Sequence, residues 1–224
     1  MSSVRTFLGI NFPVAAVRRM VDEARALSKV TAQAGFDVAW VPAANIHLTL
    51  KFLGGIPADS VEAVRGRLAR GLVAHEPFEL EARGLGAFPD ARRPRILWVG
   101  VRPSAPLAAL QQEVESWMEE LGFAREERDF HPHLTIGRVK GRRRTPHDDT
   151  IPPDGGGGGG EERGLDGAIA SRENTLFGVA RVAEVVIYES RTMRSGAEYV
   201  ALGRLPLGAA PATGSGPEPE TRSK

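Results

Sequence analysis

Two periodicities alternate along the chain. Residues 6–12 read as a first strand. Pro13 then suits the opening position of a helix, and Val14, Val17, Val21, Ala24, Leu27 and Val30 follow at helical spacing. A short strand is expected over 38–41, a turn over 42–45, and a longer strand over 46–53 that Gly54-Gly55 should stop. Pro57 should open a second helix with Val61, Val64, Leu68 and Leu72 facing inward. Strands over 78–85 and 96–101 precede a third helix from Ser104, an N-cap residue type, to Leu121. Its apolar stripe is Leu107, Leu110, Val114, Trp117 and Leu121, and Gly122 stands where a C-terminal cap belongs. A strand over 131–139 follows.

The order repeats. Each round holds strands, a helix, and a strand carrying one tetrapeptide: His47-Leu48-Thr49-Leu50, then His133-Leu134-Thr135-Ile136. Side chains two apart on a strand share a face. His47 and Thr49 therefore sit side by side, as do His133 and Thr135, over a buried apolar row. The recurrence predicts two similar lobes facing each other, with one His strand from each.

The pattern breaks after 139. Lys140-Gly141-Arg142-Arg143-Arg144 is a basic run, and Gly155 to Gly160 are six consecutive glycines. Polyglycine buries no side chain and loses much entropy on ordering, so residues 145–168 read as a flexible surface insertion. Regular structure should resume near Val179, with a closing hairpin of strands over 182–188 and 199–205. The expected organisation is one two-lobed domain over 1–207 and a disordered tail over 208–224, rich in Pro, Gly, Ser and Glu.

Composition narrows the chemistry. The 224 residues allow a full core, and a net charge of +1 demands no large nucleic-acid footprint, while leaving room for local charge around a small phosphate ligand. Cysteine is absent, which excludes disulfides and thiolate catalysis and fits a reducing compartment. The first twelve residues lack the apolar run of a signal peptide, and no stretch is long enough to span a bilayer. A cytoplasmic monomer without membrane association is the expectation.

Paired imidazoles and hydroxyls suit phosphodiester cleavage. The reaction needs a base for the attacking water and an acid for the leaving oxygen, and His serves as either near neutral pH. In-line displacement puts these on opposite sides of phosphorus, as two facing His strands would. Thr49 and Thr135 can donate to the non-bridging oxygens. No Asp/Glu cluster accompanies the histidines, so no metal and no cofactor is expected. Arg138 could clamp phosphate, but strict alternation places it on the Leu134/Ile136 side; it reaches the site only if the strand bulges, which Gly137 permits. His131 is read as structural or edge-positioned, His75 and His147 as exposed, and Phe52 and Trp40 as a base-stacking surface or core.

At these residues the sequence resembles the two-histidine phosphoesterase superfamily, in particular the bacterial and archaeal RNA 2′,3′-cyclic phosphodiesterases historically named 2′-5′ RNA ligases. The resemblance rests on Trp40-Val41-Pro42 leading to His47-Leu48-Thr49-Leu50 and Phe52-Leu53-Gly54, on Pro94-Arg95-Ile96-Leu97-Trp98, on Phe130-His131-Pro132 before the second motif with Gly137-Arg138 after it, and on Tyr188-Glu189-Ser190. The glycine-rich insertion departs from the family's pattern and leaves substrate range open.

The resemblance implies an α+β fold of two pseudo-symmetric lobes of antiparallel sheet with outer helices around a central cleft. It implies metal-independent hydrolysis of a 2′,3′-cyclic phosphate at an RNA end to a 2′-phosphate, with tRNA fragments among the candidate partners and 2′-5′ ligation as the reverse. It implies His47 as proton donor to the 3′-oxygen, His133 as proton acceptor from water, and Thr49, Thr135 and Arg138 as phosphate-binding. The residues themselves assign neither His its role. Rival readings are a 2′-5′ oligonucleotide phosphodiesterase, an RNA-end trimming or joining enzyme, a non-catalytic RNA-end-binding module, and a metal-binding protein using His131, His133 and His147.

Overall fold

The two His strands meet at a single backbone pairing, Leu48 opposite Leu134. The structure is a computed structural model that describes residues 3–142, 164–193 and 196–208. In chain order its elements are β1 (Ser3–Ile10), α1 (Val14–Gln33), β2 (Phe36–Trp40), β3 (Leu48–Pro57), α2 (Ser60–Gly71), β4 (Phe78–Phe88), β5 (Ile96–Val101), α3 (Ala105–Glu120), β6 (His133–Arg142), α4 (Leu165–Ala170), β7 (Leu176–Val182), β8 (Glu184–Met193) and β9 (Gly196–Pro206). Among the described residues the strands form one antiparallel sheet in the order β7-β4-β5-β6-β3-β1-β8-β9, with β2 added along β6. The Leu48–Leu134 contact divides it into a half of β3, β1, β8 and β9 and a half of β6, β5, β4 and β7 with β2, the antiparallel α+β arrangement that the resemblance implies.

The helices cross between the halves. Helix α1, which leaves the first half, packs on β2, β6 and β7 of the second. Helix α3, which leaves the second half, packs on β3 of the first beside α2. At the α1–β7 contact a Cβ on Gly178 would stand 2.6 Å from the Ala16 methyl, so glycine is required for the approach. One hydrophobic core therefore runs without a break from Leu8 and Leu48 through Leu134 and Val99 to Phe177.

Several boundaries differ from the sequence expectation, each for a local reason. Val14 is 72% exposed: α1 begins there, past the sheet edge, and its buried face is Ala16, Val17, Met20, Ala24, Leu27 and Thr31. Gly54-Gly55 does not stop β3. Gly54 takes a left-handed φ of 76° within the strand, and pairing with β1 skips Leu53 and resumes at Gly54 opposite Thr6, so Pro57 ends the strand and α2 starts at Ser60. Ser104 caps α3 as expected, accepting the Leu107 N–H through its hydroxyl, and Gly122 has the positive φ of a C-terminal cap. The proposed insertion extends too far: 165–168 belong to α4, anchored by buried Leu165 against α1 and β4. Residues 145–163, with His147 and the glycine run, and 209–224 lie outside the described residues. Among those described, no helix is long and apolar enough to cross a membrane.

Candidate active site

Both tetrapeptides carry the same irregularity. In β3, Gly9 pairs with Thr49 and Leu8 with Lys51, leaving Leu50 as an extra residue. In β6, Trp98 pairs with Thr135 and Leu97 with Gly137, leaving Ile136 extra. A one-residue bulge inverts the alternation beyond it. It turns Phe52 and Arg138, three residues after each Thr, onto the same face as the His and Thr, and turns Lys51 and Gly137 inward, where both are buried. This resolves the parity problem for Arg138. Gly137 is needed there because a Cβ would lie 2.9 Å from Val38 and 3.1 Å from the Trp40 ring.

The register at Leu48–Leu134, continued one residue each way, sets His47 across from Thr135 and Thr49 across from His133. All five candidate residues, His47, Thr49, His133, Thr135 and Arg138, line one cavity of about 1120 Å³. Each imidazole is held alike. His47 Nδ1 lies 2.8 Å from the Asn45 carbonyl and His133 Nδ1 lies 2.6 Å from the His131 carbonyl. A carbonyl only accepts, so Nδ1 carries the hydrogen in both rings and Nε2 is left as the reactive nitrogen. Thr49 Oγ1 is 3.1 Å from His47 Nε2 and donates to it while the ring is neutral. His131 thus serves through its backbone, and its own ring is exposed near Phe88.

Aromatic rings wall both histidines. Phe7 stacks on His47 at 4.7 Å, and Tyr199 meets it edge-on at 5.1 Å. Phe88 meets His133 edge-on at 5.1 Å, with Trp98 beyond. Burial pushes the His47 imidazole down to about 4 against the Asn45 carbonyl, which pulls the other way, and the Arg138 and His133 charges push it further down. His133 is also held below its usual value, first by burial and then by the charges of Arg138 and His131. Both rings are therefore neutral in the free protein at pH 7. NMR titration of the ring protons is expected to give His47 a midpoint near 4 and His133 one below 6.5. Arg138→Gln should raise both by removing a nearby positive charge; an unchanged His47 midpoint would place the guanidinium away from the site.

Sequence reasoning missed the groups around this face. Tyr199 and Phe88 line the cavity but lay in stretches read only as strand or loop. Lys51 is buried in the cavity wall, donating to Glu115 at 2.5 Å and to the Ala124 carbonyl at 2.8 Å, which ties β3 to α3 and to the segment before β6. Unbroken alternation would have put Lys51 beside Thr49; only the bulge reveals its inward direction. Phe52 is 64% exposed on the cavity wall, whereas Trp40 packs partly into the core. Among the described residues no group of three or more His, Cys, Asp or Glu is placed to hold a metal ion.

Residues 12–151 match the model of the 2′-5′ RNA ligase superfamily. The RNA 2′,3′-cyclic phosphodiesterase of Methanothermobacter thermautotrophicus is 30% identical over 196 residues, 88% of this chain and 95% of that protein. The protein of the same name from Aeropyrum pernix is 39% identical over 128 residues, 57% of this chain and 72% of its own length. The fold recurs in the TT0787 protein of Thermus thermophilus, with a TM-score of 0.66 at 22% identity over 91% of this chain and 98% of that one. It recurs also in E. coli LigT complexed with 3′-AMP, with a TM-score of 0.66 at 23% identity over 92% and 99%.

Proposed function

Since this chain belongs to the 2′-5′ RNA ligase superfamily, the two-histidine phosphoesterases, we propose that it opens 2′,3′-cyclic phosphates at RNA ends to 2′-phosphomonoesters without a metal ion. The observation that carries the reading is the pair of imidazoles, each fixed at Nδ1 by the carbonyl two residues earlier, on the walls of one cavity. The names of the relatives support the substrate.

The two roles are those the family resemblance implies. His133 Nε2 takes a proton from water as the water oxygen bonds to phosphorus. The bond from phosphorus to the 3′-oxygen breaks, and that oxygen takes the Nε2 proton of His47. His47 must enter charged. The anionic phosphate favours its imidazolium, offsetting the burial that keeps it neutral in the free protein. Protonation also ends the donation from Thr49 to Nε2: Nε2–H faces the leaving 3′-oxygen, and the threonine hydroxyl turns to donate to a non-bridging oxygen. Thr135 and Arg138 complete the hold on the phosphate, and Phe52 offers a face for the terminal base. A 5′-hydroxyl in place of water gives a 2′-5′ linkage by the same steps.

Incubation with a short RNA bearing a 2′,3′-cyclic phosphate, in excess EDTA, is expected to yield a 2′-phosphate end. A 3′-phosphate product, or activity that vanishes in EDTA and returns with a divalent cation, contradicts the mechanism.

A further inference from the structure

The cavity continues past the reacting groups. Lys140, on its rim, also lines a second groove of about 430 Å³ walled by Phe36, Arg92, Arg93, Arg95 and Arg142. All five cations are exposed. Their setting differs from that of other surface arginines here, of which Arg67, Arg125, Arg128, Arg191 and Arg204 each lie against a glutamate. Among the described residues none of the five groove cations forms an ion pair. The Arg142 guanidinium lies over the Phe36 ring at 5.3 Å. Asp90, the acid nearest in sequence, spends one carboxylate oxygen on the backbone N–H groups of Arg92 and Arg93, fixing the loop and leaving both guanidiniums to project. Asp37, on the neighbouring strand, stands opposite Gly141 and does not line the groove. With 29 basic and 28 acidic residues overall, the concentration is local rather than compositional.

We propose that this groove binds the RNA strand leading up to the cyclic phosphate, taking its internal phosphates along β6 from Arg138 through Lys140 to Arg92, Arg93, Arg95 and Arg142. The inference rests on the cyclic phosphodiesterase reading and narrows its substrate: an oligonucleotide end, in preference to a free nucleoside cyclic phosphate. The chemistry is that of sequence-independent phosphate contact. Guanidiniums without a protein partner neutralise backbone charge and release counterions, with no base edge read. The groove lies outside the reacting centre, so it strengthens binding of long substrates and leaves the opening of a mononucleotide unaltered.

The test uses a fluorescein-labelled RNA octamer ending in a 2′-phosphate, titrated by anisotropy at 50, 100 and 200 mM KCl with the wild type and with the triple variant R92Q/R93Q/R95Q. The variant should bind about tenfold more weakly at the lowest salt. The slope of log K against log salt should fall by about two, at roughly 0.7 for each phosphate no longer neutralised. Its kcat/KM on a nucleoside 2′,3′-cyclic monophosphate should match the wild type. R142Q, on the opposite wall, should shift octamer binding in the same direction and less. Equal octamer affinity and slope in wild type and triple variant, or an equal loss on octamer and mononucleotide, rejects the groove. If the wild type opens neither cyclic phosphate yet octamer binding still depends on the arginines, the phosphodiesterase reading fails and the groove stands.

Discussion

Alanine at His47 or at His133 should lower kcat on a cyclic phosphate end by about 10³-fold, the middle of the range for loss of a positioned acid or base. The double variant should be little slower than the worse single one, because groups acting in one step do not contribute additively. The two losses can be told apart by leaving group. A p-nitrophenyl phosphodiester departs without protonation, so His47→Ala should recover most of its deficit on that substrate and His133→Ala should not. The opposite pattern would exchange the roles, leaving the pair of histidines in place. Equal activity of wild type and both variants would remove the imidazoles from the reaction altogether.

The second large effect is on stability. The Lys51 and Glu115 side chains are 2% and 7% exposed, and the ion pair between them joins β3 to α3 in the cavity wall. Glu115 also accepts the backbone N–H of Glu126 and the Gln111 amide, so one carboxylate organises three segments. Glu115→Ala strands a buried ammonium and should cost about 3–5 kcal/mol, a fall in melting temperature of about 10 °C for a chain of this length. Lys51→Met with Glu115→Leu should recover much of that, since an apolar pair of similar volume carries no desolvation cost. A calorimetric scan of the wild type and the two variants decides it; a double variant as unstable as Glu115→Ala alone would assign the loss to packing instead of charge.

How much of this could be read in the residues depended on whether alternation held. The tetrapeptides, the helical stripe of α3 and the cap at Ser104 were legible because each is a local pattern with a single geometric meaning. Arg138 and Lys51 were legible only in part. Strict alternation assigns Arg138 to the core side and Lys51 to the cavity side, and a bulge at Ile136 and at Leu50 exchanges those assignments. Gly137 signalled that freedom in one strand; nothing comparable marks Leu50. The inner face of α1 was misread at Val14, because apolar character alone does not show where a helix overhangs its sheet. Which half each helix covers is a tertiary choice, and no periodicity carries it.

That choice governs how the chain can be made. Helix α1 is synthesised early, and of the strands it covers only β2 follows at once; β6 and β7 come with residues 133–142 and 176–182. During translation its apolar face, with Met20 and Leu27 at its centre, is incompletely covered until most of the chain has left the ribosome. His47 waits longer still, because the Tyr199 ring at its edge belongs to β9, the last strand. Closure is therefore late and concerted, dominated by contacts distant in sequence, which makes for slow folding and a long interval of exposed apolar surface. A product truncated before β7 would keep both tetrapeptides and still lack the surface that holds them, and it would be met by chaperones and proteases before it met a substrate.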